Sequence, residues 1–226
     1  MAMLRVPYKM LAAPVPPFHL ARANTALLLV DAQHFTCSRE HGLGLLAGER
    51  GIDRELDEYY LQVDAALRNM VRLIADCRSR GVRVIHTLLN CARADRSDLS
   101  RQLRVSELPI PAGDPRAEIR PEVAPRAGEF VLPRVTYSPF AGTDLQHVLN
   151  SMQVDTLILA GMLANYSVWM TAREAADRDF GVVVVIDASA SETLEWQAQL
   201  QTGIVGGLIR QRATSAVIEM LAGTRT

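Results

Sequence analysis

The chain has 226 residues, of which 49% are hydrophobic and 22% are charged, and this is typical of one globular domain with a sizeable core. A formal net charge of -1, without long runs of like charge, gives no electrostatic footprint for nucleic acid or for an anionic membrane surface. The apolar stretches are much shorter than the roughly 20 residues that span a bilayer, so the sequence predicts no transmembrane helix.

Residues 1–20 are predicted to form an extended N-terminal arm, because prolines interrupt them and no continuous apolar region leads to a signal-peptide cleavage site. Residues 21–226 are predicted to form a single domain. Cys37, Cys77 and Cys91 are odd in number and include no CxxC pair, which favours free thiols over disulfides or a structural zinc site. These features favour a cytoplasmic protein.

Five apolar runs rich in β-branched residues predict strands that are covered on both faces, because their hydrophobicity is continuous rather than alternating. Helical patterns separate these runs. The alternation predicts an α/β fold with a parallel sheet and helices on both of its faces. The predicted strands are 25–31, 82–88, 130–132, 155–160 and 182–187.

The helical pattern is clearest over residues 56–80, where Cys77 lies on the apolar stripe and Gly81 ends the helix. Residues 90–129 are rich in proline and arginine and are predicted to be an irregular flap or a subunit contact. Further helices are predicted from about 143 to 152, from 165 to 180, from 193 to 212, where glycines weaken the pattern, and from 214 to 221.

Three polar residues lie near strand ends, which parallel geometry brings to one edge of the sheet. Asp31 ends the first strand, where turn capping and catalysis are both compatible with an acid. Arg134 closes the third strand, where a solvated surface cation is the simple alternative. Ser167 lies in a glycine-started turn into a helix, whose N–H groups favour developing negative charge, although helix capping is a common role there.

Taken together, four segments resemble the isochorismatase-like cysteine hydrolases, a family that includes isochorismatases, nicotinamidases, carbamoylsarcosine amidohydrolases, and biuret and ureidoacrylate hydrolases. The resemblance covers about residues 21–221 and implies a three-layer α/β/α fold with a doubly wound, mainly parallel, six-stranded sheet. The matching segments are Ala26-Leu-Leu-Leu-Val-Asp-Ala-Gln33, Tyr137-Ser-Pro-Phe-Ala-Gly-Thr-Asp-Leu145, Thr156-Leu-Ile-Leu-Ala-Gly161 with Asn165, and Thr171-Ala-Arg-Glu-Ala175.

In that family the catalytic set is an aspartate at the first strand end, a lysine before the Tyr-Ser-x-Phe segment and a cysteine in the glycine-started turn. The corresponding residues here are Asp31, Arg134 and Ser167, so only the aspartate matches. The resemblance also implies a cis peptide bond at Leu163-Ala164. This bond would direct the N–H groups of Ala164 and Ser167 at a substrate oxygen.

The serine changes the expected mechanism, because a hydroxyl needs a well-placed base to become nucleophilic whereas a thiolate forms near neutral pH. Isochorismatases proper cleave a vinyl ether without the cysteine, using the aspartate to protonate the substrate before water attacks. Arg134 is expected to lower the pKa of Asp31, which does not favour a general acid. The planar guanidinium suits a substrate carboxylate instead.

Other residues are candidates for nucleophilic, metal-binding or substrate-binding roles. Cys37 and Cys91 lie near strand ends and are alternative nucleophiles, although buried, inert thiols are commoner. His86 lies inside the second strand and no Asp-x-His pair follows it, so we predict no metal, and no cofactor. The predicted substrate-binding residues are Gln33, Phe35, Tyr137, Leu163, Ala164, Asn165 and Tyr166.

Three functions are compatible with these residues. The first is a cysteine-less hydrolase of a small, carboxylate-bearing metabolite, in which Asp31 handles protons, Ser167 orients water and Arg134 orients the substrate. The second is an amidohydrolase with Ser167 as the nucleophile, and the third is a non-catalytic ligand-binding or assembly protein. The resemblance also implies a homo-oligomer, either a dimer or a tetramer.

Overall fold

The structure is a computed structural model that describes residues 19–203 and 207–223, with the backbone alone for residues 201–203. Almost all of the predicted arm, residues 1–20, lies outside the described residues. The described chain forms a sheet of six parallel strands in the order β3-β2-β1-β4-β5-β6. The strands are β1 Thr25–Val30, β2 Arg83–Leu89, β3 Phe130–Arg134, β4 Thr156–Met162, β5 Gly181–Ala190 and β6 Ile209–Arg212.

Helices alternate with these strands, as the hydrophobic pattern predicts. None of the helices in the described ranges is long and apolar enough to cross a bilayer. A π-helical turn, Ala164–Val168, leads from β4 into the next helix. The α-helices are α1 His34–Cys37, α2 Gly42–Glu49, α3 Asp57–Ser79, α4 Arg101–Arg104, α5 Leu145–Ser151, α6 Trp169–Asp177, α7 Leu194–Gly203 and α8 Thr214–Gly223.

Both faces of the sheet are covered, which explains the continuous hydrophobicity of its strands. Alternate residues of β1 point to opposite faces. Leu27 and Leu29 pack in a core cluster with side chains of α3 and α8, whereas Leu28 and Val30 pack in a second cluster with side chains of α5 and α6. The three-layer, doubly wound α/β/α fold is therefore confirmed.

The strand order places β1 between β2 and β4, so the chain leaves this centre toward both edges of the sheet. In doubly wound sheets, ligands bind in the crevice beyond the carboxyl ends of the strands at this reversal. Asp31 follows β1 directly, and the turn with Ser167 follows β4. The topology thus brings two of the predicted catalytic residues to one crevice.

The long interval 90–129 packs against this same edge of the sheet. It contains α4 and two short 3-10 turns. Leu103 and Ile110 from this interval are almost fully buried and pack with Phe35 and Leu89. The interval therefore forms a wall over the carboxyl ends of β1 and β2, in agreement with its predicted role as a flap.

The predicted helix over residues 193–212 is wrong in its second half. Helix α7 ends at Gly203, and Ile209–Arg212 forms β6, which pairs with β5 through Val182 and Ile209. The hydrogen bonds available at the open edge of β5 outweigh the weak helical preference of this glycine-rich stretch.

Gly161 occupies a position in β4 that has no room for a side chain. A Cβ built there lies 1.8 Å from the carbonyl oxygen of Val30, and the φ of +143° is one that other residues rarely adopt. Its N–H donates to the Ser189 hydroxyl at 3.2 Å instead of completing a regular ladder. Glycine is therefore required where β4 passes closest to β1.

We predict that Gly161→Ala lowers the free energy of unfolding by about 3 kcal/mol or more, because the methyl group must displace backbone atoms of β1. Urea unfolding followed by circular dichroism measures this change. The matched control is Gly48→Ala in α2, where no atom lies within 4 Å of the added Cβ. Equal effects of the two substitutions would contradict the prediction.

Candidate active site

Asp31 is held at the carboxyl edge of the sheet by backbone contacts to β2. Its φ of 51° lies in the left-handed region, which aspartate tolerates better than most residues. Its N–H donates to the Thr87 carbonyl at 2.8 Å, and its Oδ1 accepts from the Leu89 N–H at 3.1 Å. Because both contacts come from one strand, the carboxylate has a fixed direction.

Arg134 pairs with this carboxylate across the width of β2. Its Nη2 donates to Asp31 Oδ2 at 2.7 Å, and its Nη1 donates to the Thr136 carbonyl at 2.8 Å. The two side chains are 0% and 1% exposed. Arg134 is therefore not the solvated surface cation that was the simple alternative.

The buried location decides the protonation chemistry of Asp31. Desolvation raises the pKa of Asp31 above its ordinary value, because burial penalises the charged carboxylate. The positive charge of Arg134 and hydrogen bonds from Ser167 and Leu89 lower this pKa, but burial outweighs them. Arg134 lowers the pKa of Asp31, as expected, but by less than burial raises it. The net shift of this pKa is therefore upward, which suits a general acid.

Ser167 lies in the π-helical turn that follows β4, where it is almost completely buried. Its side chain lies near Asp31, where it lowers the pKa of the carboxyl group, and it borders the same cavity. The first residues of the turn and of α6 have no side-chain cap, so helix capping does not explain this hydroxyl. The carboxyl group of Asp31 and the hydroxyl group of Ser167 therefore belong to the lining of one cavity.

The cis peptide bond lies at Met162-Leu163, one residue before the predicted Leu163-Ala164 position. The reason for this correction is that β4 ends at Met162, so the bond that leaves the strand is the one before Leu163. The Leu163 carbonyl then accepts from the N–H groups of Tyr166 and Val168, which closes the turn.

A cavity of about 200 Å³ opens beside Asp31 and Ser167. Four of the predicted substrate-binding residues line it: Phe35, Tyr137, Leu163 and Tyr166. The Tyr137 and Tyr166 rings are stacked, with centroids 5.6 Å apart and an interplanar angle of 22°. Carboxyl, hydroxyl and aromatic groups thus converge on one cavity, a combination typical of small-molecule sites.

A family model described as an isochorismatase domain matches residues 25–207, which include Asp31, Arg134 and Ser167. The chain belongs to the isochorismatase family.

Two curated proteins are similar to this chain over about half of its length. The chain is 32% identical to a secreted isochorismatase effector of Verticillium dahliae over 44% of this chain and 60% of that protein. It is 31% identical to a maleamate amidohydrolase of Pseudomonas putida over 54% of this chain and 59% of that protein. The matches therefore span about three fifths of those two proteins.

Solved structures share the fold over nearly the whole chain. A cysteine hydrolase from Pseudomonas syringae pv. phaseolicola superimposes with a TM-score of 0.74, covering 95% of this chain and 100% of that one at 20% identity. An isochorismatase family protein from Desulfovibrio vulgaris gives a TM-score of 0.64 at 26% identity, covering 88% of this chain and 99% of that one. The isochorismatase-like fold is confirmed.

The remaining predicted site residues do not line the cavity beside Asp31. Gln33 uses its amide to clamp Leu89, donating to its carbonyl at 3.0 Å and accepting from its N–H at 2.9 Å. Ala164 packs in the apolar core, and Asn165 donates to Glu192 at 3.1 Å. These residues support the site, and Arg134 likewise contacts Asp31 from outside the cavity.

Both alternative cysteine nucleophiles are also outside the lining of this cavity. Cys37 is buried beneath Asp31, and burial raises the pKa of its thiol to about 12. Cys91 is fully buried, borders a separate cavity on the Arg134 side, and has a pKa raised by burial. Neither thiol is placed or ionised for attack at the site. Cys77 is buried in the core, as predicted.

His86 is buried in β2 with its Nε2 3.5 Å from Glu129 Oε2. Burial lowers the pKa of His86 to about 4, so the ring is neutral near pH 7. Across the described ranges, no group of three or more His, Cys, Asp and Glu side chains has a geometry that could hold a metal ion.

Eight lining residues were not predicted from the sequence. Four of them come from the interval 90–129, whose apolar residues were recognisable but could not be assigned to the site without a path for the chain. Glu192 closely follows β5, so its position near a strand end was a usable signal. The eight are Thr36, Leu43, Leu89, Leu103, Ser106, Leu108, Ile110 and Glu192.

We predict that Arg134→Met lowers the free energy of unfolding at pH 7 by about 3–5 kcal/mol, because it removes the positively charged partner of the buried Asp31 side chain. Adding Asp31→Asn to this variant should restore part of the loss, and urea unfolding of all four proteins in a double-mutant cycle measures the coupling. The control is Arg93→Met, which removes an exposed ion pair with Asp95 and should change stability little. Additive effects at positions 31 and 134 would contradict the prediction.

Proposed function

We propose that this chain is a hydrolase of the isochorismatase family that cleaves its substrate without a cysteine nucleophile, by proton transfer from Asp31 and attack of water. The observation that carries the proposal is the buried Asp31 carboxyl group, which faces the cavity beside Ser167 and has a pKa raised by burial. A carboxyl group whose pKa is raised by burial is better suited to proton donation than an ordinary exposed one.

The reaction balances with groups of this chain and one water molecule. Asp31 gives its proton to the substrate at the scissile C–O or C–N bond, and water adds its oxygen to the carbon atom. That bond then breaks, the hydroxyl group stays on the carbon, and the second proton of the water molecule restores the acid. Ser167 orients the water molecule from its place next to Asp31.

In this mechanism Arg134 positions Asp31 and does not hold the substrate. The expectation of a carboxylate-bearing substrate depended on a free guanidinium in the pocket. Nη2 and Nη1 are instead directed at Asp31 and the Thr136 carbonyl, and Arg134 does not line the cavity. Arg134 holds the carboxyl group in line with the cavity while burial keeps its proton affinity high.

A second candidate is an amidohydrolase in which Ser167 is the nucleophile and Asp31 the base. Two observations favour it. The relatives include a maleamate amidohydrolase and, at 29% identity over 54% of this chain, an N-carbamoylsarcosine amidase of Arthrobacter. The Ser167 side chain also lies near Asp31 at the same cavity, and the Asp31 carboxyl group accepts protons when it is ionised.

The domain organisation, the oligomeric state and the cellular location are inferred from the sequence alone. A single domain over residues 21–226, a homo-oligomer and cytoplasmic residence remain predictions. The secreted effector of Verticillium dahliae is a relative with a different location.

We predict that Asp31→Asn reduces kcat/KM by about 100-fold or more, since it removes the proton donor. Asparagine suits the test because it also tolerates the left-handed backbone at this position. Hydrolysis of a panel of primary amides and vinyl ethers with neutral, anionic and cationic substituents supplies the measurement. Asp177→Asn, an exposed carboxylate on α6, is the control.

Ser167→Ala separates the two mechanisms. If Ser167 orients water, the variant retains about a tenth of the activity and mass spectrometry finds no acyl group on the enzyme. If Ser167 is the nucleophile, the variant is as inactive as Asp31→Asn and the wild-type enzyme carries a transient acyl group. Saturable binding without turnover of any substrate would contradict both hydrolase mechanisms and favour a binding protein.

We also predict that kcat/KM falls as pH rises through the raised pKa of Asp31, because a general acid acts in its protonated form. The contribution of Asp31 to the free energy of unfolding also falls as pH rises. A carboxyl group whose pKa is raised on folding contributes most below its unfolded pKa, and the contribution is lost as pH rises through the folded value. Activity that instead increases over this range would favour Asp31 as the base for Ser167.

A further inference from the structure

The cavity beside Asp31 is lined by acidic and neutral side chains. Asp31 and Glu192 supply its carboxyl groups, and none of the described residues that line it is a lysine or an arginine. The guanidinium of Arg134 is directed at Asp31 and Thr136 instead. Because Arg134 offsets the charge of Asp31, the negative charge that a ligand meets in this cavity is that of Glu192, which has no lysine or arginine beside it in the lining.

Glu192 lies at the mouth of the cavity, on the segment between β5 and α7. It is exposed, and Asn165 fixes its carboxylate through a hydrogen bond of 3.1 Å to Oε2. Glu192 also lines an adjoining groove of about 250 Å³, which shares Leu43, Leu108 and Leu163 with the cavity. Glu192 therefore borders both the groove and the cavity.

The stacked pair of Tyr137 and Tyr166 adds to this preference. Both phenols are neutral near pH 7, because burial raises the pKa of Tyr137 and the charge of Glu192 raises the pKa of Tyr166. Neutral aromatic faces attract cations, most strongly where solvent is partly excluded. The aromatic wall and the carboxylate thus favour the same charge on a ligand.

The adjoining groove has one positively charged residue in its described lining, Arg50, and this residue does not line the inner cavity. The two compartments therefore differ in charge. A carboxylate on a substrate has a possible partner in the outer groove but none in the inner cavity.

We propose that the group recognised in the inner cavity is a cation such as an amine, held by Glu192 and the Tyr137–Tyr166 pair, and that Glu192 is the residue that selects it. This inference rests on the proposed function, because it assigns the substrate class of the same site. The hydrolase would then act on an amine-bearing substrate and discriminate against carboxylates.

The test compares the binding of three probes of similar size that share a primary amide: 4-aminobutanamide, neutral butanamide and succinamate. Isothermal titration calorimetry at pH 7 and low salt should give the affinity order ammonium, neutral, carboxylate, with roughly a tenfold difference between the first and the last. Raising the salt concentration should reduce this difference. Ammonia release from each probe is measured separately.

Glu192→Gln should reduce the preference for 4-aminobutanamide over succinamate by about fivefold, and Glu192→Lys should reverse it. The matched control is Glu195→Gln, three residues along on α7, which removes the same charge outside the cavity lining and should leave the preference intact.

The inference is overturned if succinamate binds as well as 4-aminobutanamide, if the ammonium probe does not bind, or if Glu192→Gln and Glu195→Gln behave alike. Selective binding of the ammonium probe, with no ammonia release here and no turnover in the panel of amides and vinyl ethers, supports this inference and counts against the hydrolase. Preferred binding and turnover of succinamate contradict this inference and support the hydrolase. The two proposals therefore fail separately.

Discussion

The ion pair between Asp31 and Arg134 is the constraint on which the rest of the site depends. It joins the residue after β1 to the end of β3 across the intervening β2, with both side chains removed from solvent. A pair of this kind stabilises the fold weakly when complete and destabilises it strongly when one partner is missing. Its retention at the crevice beyond β1 and β4 therefore points to the chemistry of the carboxyl group.

The residues around Asp31 differ in whether they line the cavity. Arg134 and the Leu89 N–H contact the carboxylate from the protein side, whereas Ser167 contacts it beside the cavity. Burial keeps its proton affinity high while the fixed partners hold its direction. In the mechanism that we propose, Asp31 handles protons and recognition of the substrate is left to Glu192, Tyr137 and Tyr166.

The fold could be predicted from the sequence because it follows from local patterns, and the location of the candidate site is inferred from the same patterns. Continuous apolar runs mark buried parallel strands, and Asp31 and Ser167 follow two of them at the point where the sheet order reverses. The features that the sequence did not predict depend on contacts between distant segments. The strand Ile209–Arg212 forms because β5 has an open edge, and the direction of Arg134 depends on Asp31, 103 positions away in the chain.

The backbone N–H of Leu89 is shared by two acceptors, Asp31 Oδ1 at 3.1 Å and Gln33 Oε1 at 2.9 Å. When Asp31 takes up a proton, its oxygen becomes the poorer of the two acceptors, and the amide of Gln33 is already in place to satisfy the donor. The end of β2 therefore keeps its hydrogen bonding in both charge states of the acid. In the proposed mechanism, the change of charge on Asp31 therefore requires no movement of the main chain at Leu89.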